Sequence, residues 1–147
     1  MRHLALLLVL LGAPAEASPP LVAALKDQTW GDGDCGSELH RRGGRRKVKF
    51  LAVKADDPKH ALVNVRGQDV IAVREGDVPA TVDRVGARYR ERWRAAGVVL
   101  DIEYVITRVC PSGGDSGDCE GVDVAATVRA TDGKRSQTIT ARGHDGC

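Results

Sequence analysis

The sequence is poor in aromatic side chains, in net charge and in long apolar runs. Its aromatic residues are two Trp, two Tyr and one Phe, and 22 Lys and Arg against 20 Asp and Glu leave a formal net charge of +2. Both totals argue against the strongly basic class of nucleic-acid-binding proteins. With 42% hydrophobic and 29% charged residues over 147 positions, the composition is typical of one folded domain and not of a disordered tail or a membrane bundle.

Metal-binding spacings are also missing. The cysteines and the scattered histidines form no Cys-x-x-Cys or His-x-x-x-His pair, so zinc is not expected. Acidic residues cluster beside Cys35 and Cys119, but Gly36 and Ser37 stand where a helix–loop–helix calcium site needs a ligand and then a glycine. We therefore expect adventitious acidic turns, no metal and no other cofactor.

The N-terminal segment has the pattern of a secretory signal peptide. Met1–His3 gives a short positive start, Leu4–Leu11 is an unbroken apolar run, and Ala15 and Ala17 supply small residues at the cleavage positions. A membrane anchor is disfavoured because a span needs about 20 apolar residues. We expect cleavage after Ala17 (signal peptide 1–17), a secreted or periplasmic location, and one mature domain over residues 18–147 without a transmembrane span.

Export changes how the four cysteines are interpreted. An even number of cysteines in an oxidising compartment favours two disulfides, and four cysteines allow three pairings. We favour Cys110–Cys119, which closes a short loop, together with Cys35–Cys147, which ties both ends of the mature domain. The other two pairings stay open.

Six segments have the composition or alternation of β-strands, three on each side of a central segment. Turn residues at Gly67–Asp69 and at Thr131–Lys134 predict two hairpins between them. A short apolar stretch, Leu21–Leu25, is long enough for one or two helical turns. The six predicted strands are Lys47–Ala55, Ala61–Arg66, Val70–Arg74, Leu100–Thr107, Val122–Val128 and Gln137–Arg142.

The central segment, Val78–Ala96, is predicted to be a long helix. Asp77 can cap it, Pro79 suits its first turn and Gly97 can end it. Its apolar residues recur at spacings of three and four: Val78, Val82, Val85, Tyr89, Trp93 and Ala96. The expected fold class is therefore α+β, a mainly antiparallel sheet of three strands, one helix and three strands, with the helix packed on the sheet and two disulfides.

Basic side chains form two clusters that are candidate binding sites. Guanidinium groups in rows can hold phosphate, sulfate or carboxylate groups through paired hydrogen bonds. The alternative is a solvated face whose charges pair with acidic neighbours. The first cluster is Arg41, Arg42, Arg45, Arg46 and Lys47 in one loop, and the second is Arg84, Arg88, Arg90, Arg92 and Arg94 in the predicted helix, with Arg84, Arg88 and Arg92 in one row.

The loop between Cys110 and Cys119 is the third candidate. Gly114–Gly117 superficially matches the sequence around a serine-protease nucleophile, but Asp118 follows it and the chain is too short for the usual double barrel. A loop held at its base by a disulfide can present a rigid segment, here Pro111, Ser112 and Gly113, to a partner at a low entropic cost. The alternative is a plain hairpin loop held by a disulfide.

These features favour an exported, non-enzymatic binding protein that recognises a macromolecule or an anionic partner, such as an extracytoplasmic protein or an anionic glycan. Two alternatives are an inhibitor or protective partner of a secreted hydrolase, presenting the Cys110–Cys119 loop, and a small secreted hydrolase. Nucleic acid is not an expected partner, and the oligomeric state does not follow from the sequence.

Overall fold

The computed structural model describes residues 18–43, 47–80, 83–110 and 121–147. These ranges form nine strands: β1 (Val22–Ala23), β2 (Gly36–Arg41), β3 (Lys49–Lys54), β4 (His60–Val65), β5 (Gln68–Glu75), β6 (Arg88–Ala95), β7 (Val98–Cys110), β8 (Gly121–Thr131) and β9 (Ser136–Gly146). These ranges contain no helix, and therefore no helix that could span a membrane. The predicted signal peptide, Arg45, Arg46 and the loop residues Pro111–Cys119 lie outside the described residues.

Strands β2 to β9 form a closed antiparallel barrel of eight strands. Each strand pairs with its neighbour in the chain, and β9 pairs with β2 to complete the ring. The short strand β1 also pairs with the end of β4, with Val22 opposite Val65, and Val22 is fully buried in the core. In a closed up-and-down barrel every barrel strand has two partners, so the ring itself has no open edge.

The barrel interior is filled by side chains that alternate along the strands. On β7 the inward positions from Val98 to Ile106 are all buried, and on β8 the same holds from Val122 to Ala130. Trp93 of β6 is fully buried among them. Because each buried aliphatic or aromatic side chain contributes about 1.5–3 kcal/mol, this shared interior is the main source of stability.

Strands β3 and β4 depart from alternation because both of their faces are covered. The segment between β1 and β2 lies on their outer faces, where Leu25 and Trp30 pack on Ala52 and Leu62. The same segment buries the Lys49 side chain, whose Nζ lies 2.7 Å from Asp32 Oδ1. Burial alone would lower the pKa of Lys49, but the carboxylates of Asp32 and Glu38 outweigh it and raise the pKa.

The predicted helix over Val78–Ala96 is wrong, and with it the α+β fold class. The described end of this segment is strand β6, in which arginine alternates with inward-facing residues such as Tyr89 and Trp93. The apolar stripe was misleading because two of its members face solvent, with Val78 47% and Val85 62% exposed. Arginine favours helices in isolation, but tertiary pairing with β5 and β7 decides the conformation here.

Gly97 ends a strand and not a helix. Ala96 and Gly97 have φ angles of 45° and 76°, and Arg66 and Gly67 have φ angles of 51° and 84°. Two consecutive residues with positive φ make the tight hairpin turn that matches the twist of antiparallel strands. The hairpin between β4 and β5, predicted from Gly67–Asp69, is confirmed. The helix end predicted at Gly97 is wrong, because the equivalent turn joins β6 to β7 there.

The other strand predictions hold in outline. All six predicted strand segments overlap observed strands, and the hairpin at Thr131–Lys134 joins β8 to β9. Strand β2 was not predicted, because the glycine-rich segment before Ser37 is typical of a loop. The helical turns expected at Leu21–Leu25 are not observed, and this stretch forms β1 and irregular chain.

The described residues contain one disulfide, Cys35–Cys147, which confirms the pairing predicted for the two ends of the domain. The second predicted pair, Cys110–Cys119, includes Cys119, which lies outside the described residues. The confirmed bridge joins positions 112 residues apart, immediately before β2 and after β9, so it reinforces the strand pair that closes the barrel.

A buried ion pair organises one end of the interior. Arg74 Nη1 of β5 lies 2.5 Å from Glu91 Oε1 of β6, and both side chains are nearly inaccessible to solvent. Glu91 Oε2 accepts hydrogen bonds from Trp93 Nε1 at 2.9 Å and from the Tyr104 hydroxyl at 3.0 Å. The guanidinium lies 4.3 Å from the Trp93 ring centroid, and burial, with the negative charge of Glu91, raises the pKa of Tyr104.

Replacement of both Cys35 and Cys147 by Ser is expected to lower the free energy of unfolding by about 2–5 kcal/mol, because the bridge restricts a long loop of the unfolded chain. Urea denaturation followed by Trp fluorescence measures the loss. A change below about 1 kcal/mol would show that the β2–β9 ladder closes the barrel without help from the bridge.

Glu91→Gln is expected to destabilise the fold by about 3–5 kcal/mol, because it leaves the Arg74 charge buried without a counter-charge. Glu103→Gln is the matched control on the outer face, where pairs with exposed arginines contribute at most about 1 kcal/mol. Equal losses for the two variants, again from urea denaturation, would contradict a special role for the buried pair.

Candidate functional site

Four of the five arginines in the second predicted cluster are paired with carboxylates. Arg88, Arg90, Arg92 and Arg94 all point outward from β6, towards carboxylates on the neighbouring strands. Arg88 and Arg90 both contact Glu103, at 2.8 and 2.7 Å. The remaining pairs are Arg92 with Asp101 and Arg94 with Glu75, each at 2.6 Å. The alternative of a solvated, compensated face therefore describes β6 better than a ligand-binding row.

The electrostatics of this outer face follow from the cross-strand register. Arg90 sits opposite Glu103, and Arg92 sits opposite Asp101, in the β6–β7 ladder. The hydrogen bonds from Arg90, followed by its charge, lower the pKa of Glu103. Arg84 lies before β6, is exposed, and has no ion pair within the described ranges. Within the expected row, Arg88 and Arg92 thus have carboxylate partners, whereas Arg84 has none among the described residues.

The loop cluster has the opposite character. Arg41 and Arg42 at the end of β2, Lys47 before β3, and Arg142 of β9 line one groove of about 780 Å³ on the outside of the barrel. All four side chains are exposed, and none forms an ion pair with a described carboxylate. We call this surface the basic groove, defined by these four cations, and it is the candidate functional site.

The closing ladder of the barrel assembles the basic groove. His40 of β2 is directly opposite Arg142 of β9, and Glu38 is opposite His144. The hairpin continues past β2, where the Arg42 amide donates to the Thr140 carbonyl oxygen at 3.1 Å. Because the side chains of one face recur every second residue, this register places His40 and Arg142 on the outer surface. Arg41 is opposite the buried Ala141, on the other face, and lines the groove from the last position of β2.

Acidic residues in the groove are already occupied by other cations. Glu38 accepts from His40 at 2.7 Å and lies 3.1 Å from Lys49 Nζ. Asp123 of β8 contacts His144 at 2.9 Å and Arg108 at 2.8 Å. Neither carboxylate contacts the four cations of the basic groove, and four positive charges against these two negative ones leave its lining with a net positive charge.

These contacts shift the pKa values of both carboxylates downward. Burial acts to raise the pKa of Glu38, but hydrogen bonds from His40 and Lys49 outweigh it, so the pKa is lowered. For Asp123, the hydrogen bond from His144 is the largest cause of the lowered pKa. Both groups are thus held ionised, as fixed acceptors, at neutral pH.

The arrangement suits binding of an anion. In the described part of the chain, no group of three or more His, Cys, Asp or Glu side chains is placed to hold a metal ion. The acidic residues near Cys35 instead contact lysines, with Asp32 on Lys49 and Asp34 on Lys54. Exposed guanidinium groups beside a groove can take carboxylate, sulfate or phosphate oxygens through charge-assisted hydrogen bonds.

Three of the four cations of the basic groove, Lys47 among them, belong to the loop cluster predicted from the sequence. Arg41 and Arg42 were candidates, whereas Arg142 was not, although it occupies an outward position in the alternation of β9. Arg142 joins this groove only through the pairing of β9 with β2, and β2 was not predicted. Arg45 and Arg46 of the same hairpin, and Pro111, Ser112 and Gly113 of the cysteine loop, lie outside the described residues.

Acidification below about pH 4.5 is expected to destabilise the protein. Glu38 and Asp123 have lower pKa values folded than unfolded, so their stabilising effect is complete above the unfolded value and is lost as the pH falls through the folded one. Urea denaturation at several pH values measures the slope. The loss of unfolding free energy with falling pH should be smaller in the double variant Glu38→Gln/Asp123→Asn than in the control double variant Asp56→Asn/Asp77→Asn. Equal losses would show that Glu38 and Asp123 do not cause the acid sensitivity.

The chain matches no known family model, no curated protein and no solved structure. Inference about function therefore starts from the charges, cavities and contacts of the described residues. Among these surfaces, the basic groove combines concave shape with a cluster of four uncompensated cations.

Proposed function

We propose that the protein is an exported binding protein without a catalytic role, and that its basic groove binds a sulfated or carboxylated polysaccharide. The observation that carries the proposal is the contrast between two arginine clusters. The cations of β6 are each within 2.8 Å of a carboxylate, whereas Arg41, Arg42, Lys47 and Arg142 have no carboxylate partner among the described residues. Unpaired cations on one concave surface are available to a ligand at no cost in broken ion pairs.

The lining of the groove favours a polysaccharide over a nucleic acid. No Phe, Tyr or Trp occurs among its described lining residues, so it offers no aromatic platform on which bases could stack. The Thr107 oxygen, whose hydrogen is donated to Asp123, can still accept from a sugar hydroxyl group, while the cations meet the acidic substituents. A chain with a charge on each repeat can contact several cations in succession, so their individually weak attractions add up.

The two other hypotheses have less support. An inhibitor that presents the Cys110–Cys119 loop depends on residues Pro111–Cys119, which lie outside the described residues. A small secreted hydrolase needs an activated nucleophile, and the hydroxyl of Thr107 in the groove is engaged with the Asp123 carbonyl oxygen at 3.1 Å. Both stay hypotheses, and the binding function is the one that the uncompensated charge favours.

The experiment compares two variants that remove the same charge. In the first, Arg41, Arg42, Lys47 and Arg142 are replaced by Ala; in the second, Arg88, Arg90, Arg92 and Arg94 are replaced by Ala. If each groove cation forms one exposed ion pair with heparin that contributes about 0.5 kcal/mol, the loss of all four should weaken heparin binding by about 2 kcal/mol, or about thirtyfold. The β6 variant should lose much less. Isothermal titration calorimetry with heparin oligosaccharides measures both.

Two results would overturn the proposal. Equal losses in the two variants would mean that heparin responds to net charge and not to the basic groove. Groove-dependent binding of polyphosphate or single-stranded DNA with no binding of heparin or polygalacturonate would replace the polysaccharide by a phosphate polymer. Increasing salt should weaken the specific binding, since exposed charges are screened over about 10 Å at 0.1 M ionic strength.

A further inference from the structure

A second concave site lies at the end of the barrel that carries the Cys35–Cys147 disulfide. It is a cavity of about 330 Å³ that reaches from the Cys35–Cys147 bridge down to Arg74 and Glu91. We call it the mouth cavity. The basic groove lies on the outer face of the same strands, so the two sites share the β2–β9 ladder but open on opposite sides of it.

Glycines border this cavity where the strands approach closely. Gly36 of β2 is opposite Gly146 of β9, and both line the cavity where other positions would place side chains. Gly36 has a φ of 155°, and a Cβ at this position would overlap the carbonyl oxygen of Val53. A volume of this size is within the range of cavities that hold small organic ligands.

The floor of the cavity is polar but internally compensated. Arg74 and Glu91 neutralise each other, and the two carboxylate oxygens of Glu91 are engaged by Arg74, Trp93 and Tyr104. Tyr89 stacks on Tyr104 with ring centroids 4.5 Å apart, and its hydroxyl makes no hydrogen bond to any described residue. The floor thus supplies one vacant hydroxyl and no net charge.

Asp145 is the exception among the charged groups of the cavity. Its Oδ1 accepts a hydrogen bond from the Ser37 hydroxyl at 2.6 Å, and no described cation lies within ion-pair distance of it. The remaining lining cation, Lys54, is already paired with Asp34 at 2.8 Å. Because Arg74 and Glu91 together have no net charge, the cavity carries one uncompensated negative charge, that of the half-buried Asp145.

Apolar side chains form the walls around that charge. Val53, Ile106 and Val122 line the cavity from the barrel strands. Val78 and Pro79 of the segment after β5 also line it, and Val78 is 47% exposed. A bound apolar group would remove this valine from water, which is favourable at roughly 25 cal/mol per Å² of apolar surface.

We propose that the mouth cavity binds a small organic cation, a protonated amine on an apolar body. The ammonium group donates to the Asp145 carboxylate and to the vacant Tyr89 oxygen, and the apolar body packs against Val53, Val78 and Ile106. Burial, together with the negative charges of Asp145 and Glu91, raises the pKa of Tyr89 and keeps its hydroxyl neutral. An anion is disfavoured because it would meet an uncompensated carboxylate, while the cavity's arginine is held by Glu91.

Three probes of similar shape and different charge test the proposal. Phenethylamine is cationic at neutral pH, phenethyl alcohol is neutral and hydrocinnamate is anionic. Isothermal titration calorimetry should show binding of phenethylamine, with the alcohol weaker by about tenfold or more, since a hydrogen bond to a charged group contributes about 1.5–3 kcal/mol, and with no binding of hydrocinnamate. Amide chemical-shift changes should concentrate at Asp145, Tyr89 and Val78.

Asp145→Asn should weaken phenethylamine binding by about tenfold or more, because it removes the charge but keeps an acceptor for Ser37. The matched control, Asp101→Asn, removes the same charge from the outer face and should leave binding unchanged. Tyr89→Phe, which keeps the ring, should weaken binding by about two- to tenfold and serves as the second test if Asp145→Asn does not fold.

The proposal is overturned by binding of hydrocinnamate or phenethyl alcohol as tight as that of phenethylamine, by equal effects of Asp145→Asn and Asp101→Asn, or by no binding of phenethylamine at millimolar concentration. Heparin binding should be unaffected by Asp145→Asn and by the amine. The two sites can therefore fail or succeed separately.

Discussion

The pairing of β2 with β9 is the contact on which the rest of the structure depends. It joins the first and last strands of the barrel, and the Cys35–Cys147 bridge lies directly beside it. Without it the remaining strands would form an open sheet with two free edges and an exposed apolar face. Since the partners are about a hundred residues apart, the ladder forms only after much chain entropy has been lost, and the disulfide reduces that cost by restricting the unfolded chain.

Both candidate sites are consequences of this one ladder. Its outward residues, His40 and Arg142 among them, contribute to the basic groove, and its inward residues, Ser37 and Asp145, contribute to the mouth cavity. Because successive side chains point to opposite faces, a register shift of one residue would exchange the two sets. Glu38 and His144 would then enter the apolar interior, so burial of the core and placement of the sites select the same register.

Charge in this protein is informative through its distribution and not through its total. A net charge of +2 conceals a compensated outer ladder on β6, a buried neutral pair, an uncompensated cationic groove and a lone carboxylate in a cavity. The Arg88–Glu103 and Arg92–Asp101 pairs are exposed and add little stability, but they remove β6 from the list of anion-binding surfaces. The functional proposals rest on the charges that the fold leaves without partners.

Local alternation predicts the strands of the second half correctly, since the patterns from Leu100 to Thr107 and from Val122 to Val128 are those of β7 and β8. The even number of cysteines favoured disulfides, of which the one between the ends of the domain is observed. At Val78–Ala96 the local pattern predicted a helix where the structure has strand β6. The sequence there has both helical spacing and strand alternation, and pairing with β5 and β7 selects the strand. The closure of the barrel, the position of Arg142 opposite His40, and the isolation of Asp145 follow from the tertiary structure. Each depends on which distant backbone groups pair, and a long-range hydrogen-bond register leaves no trace in local composition.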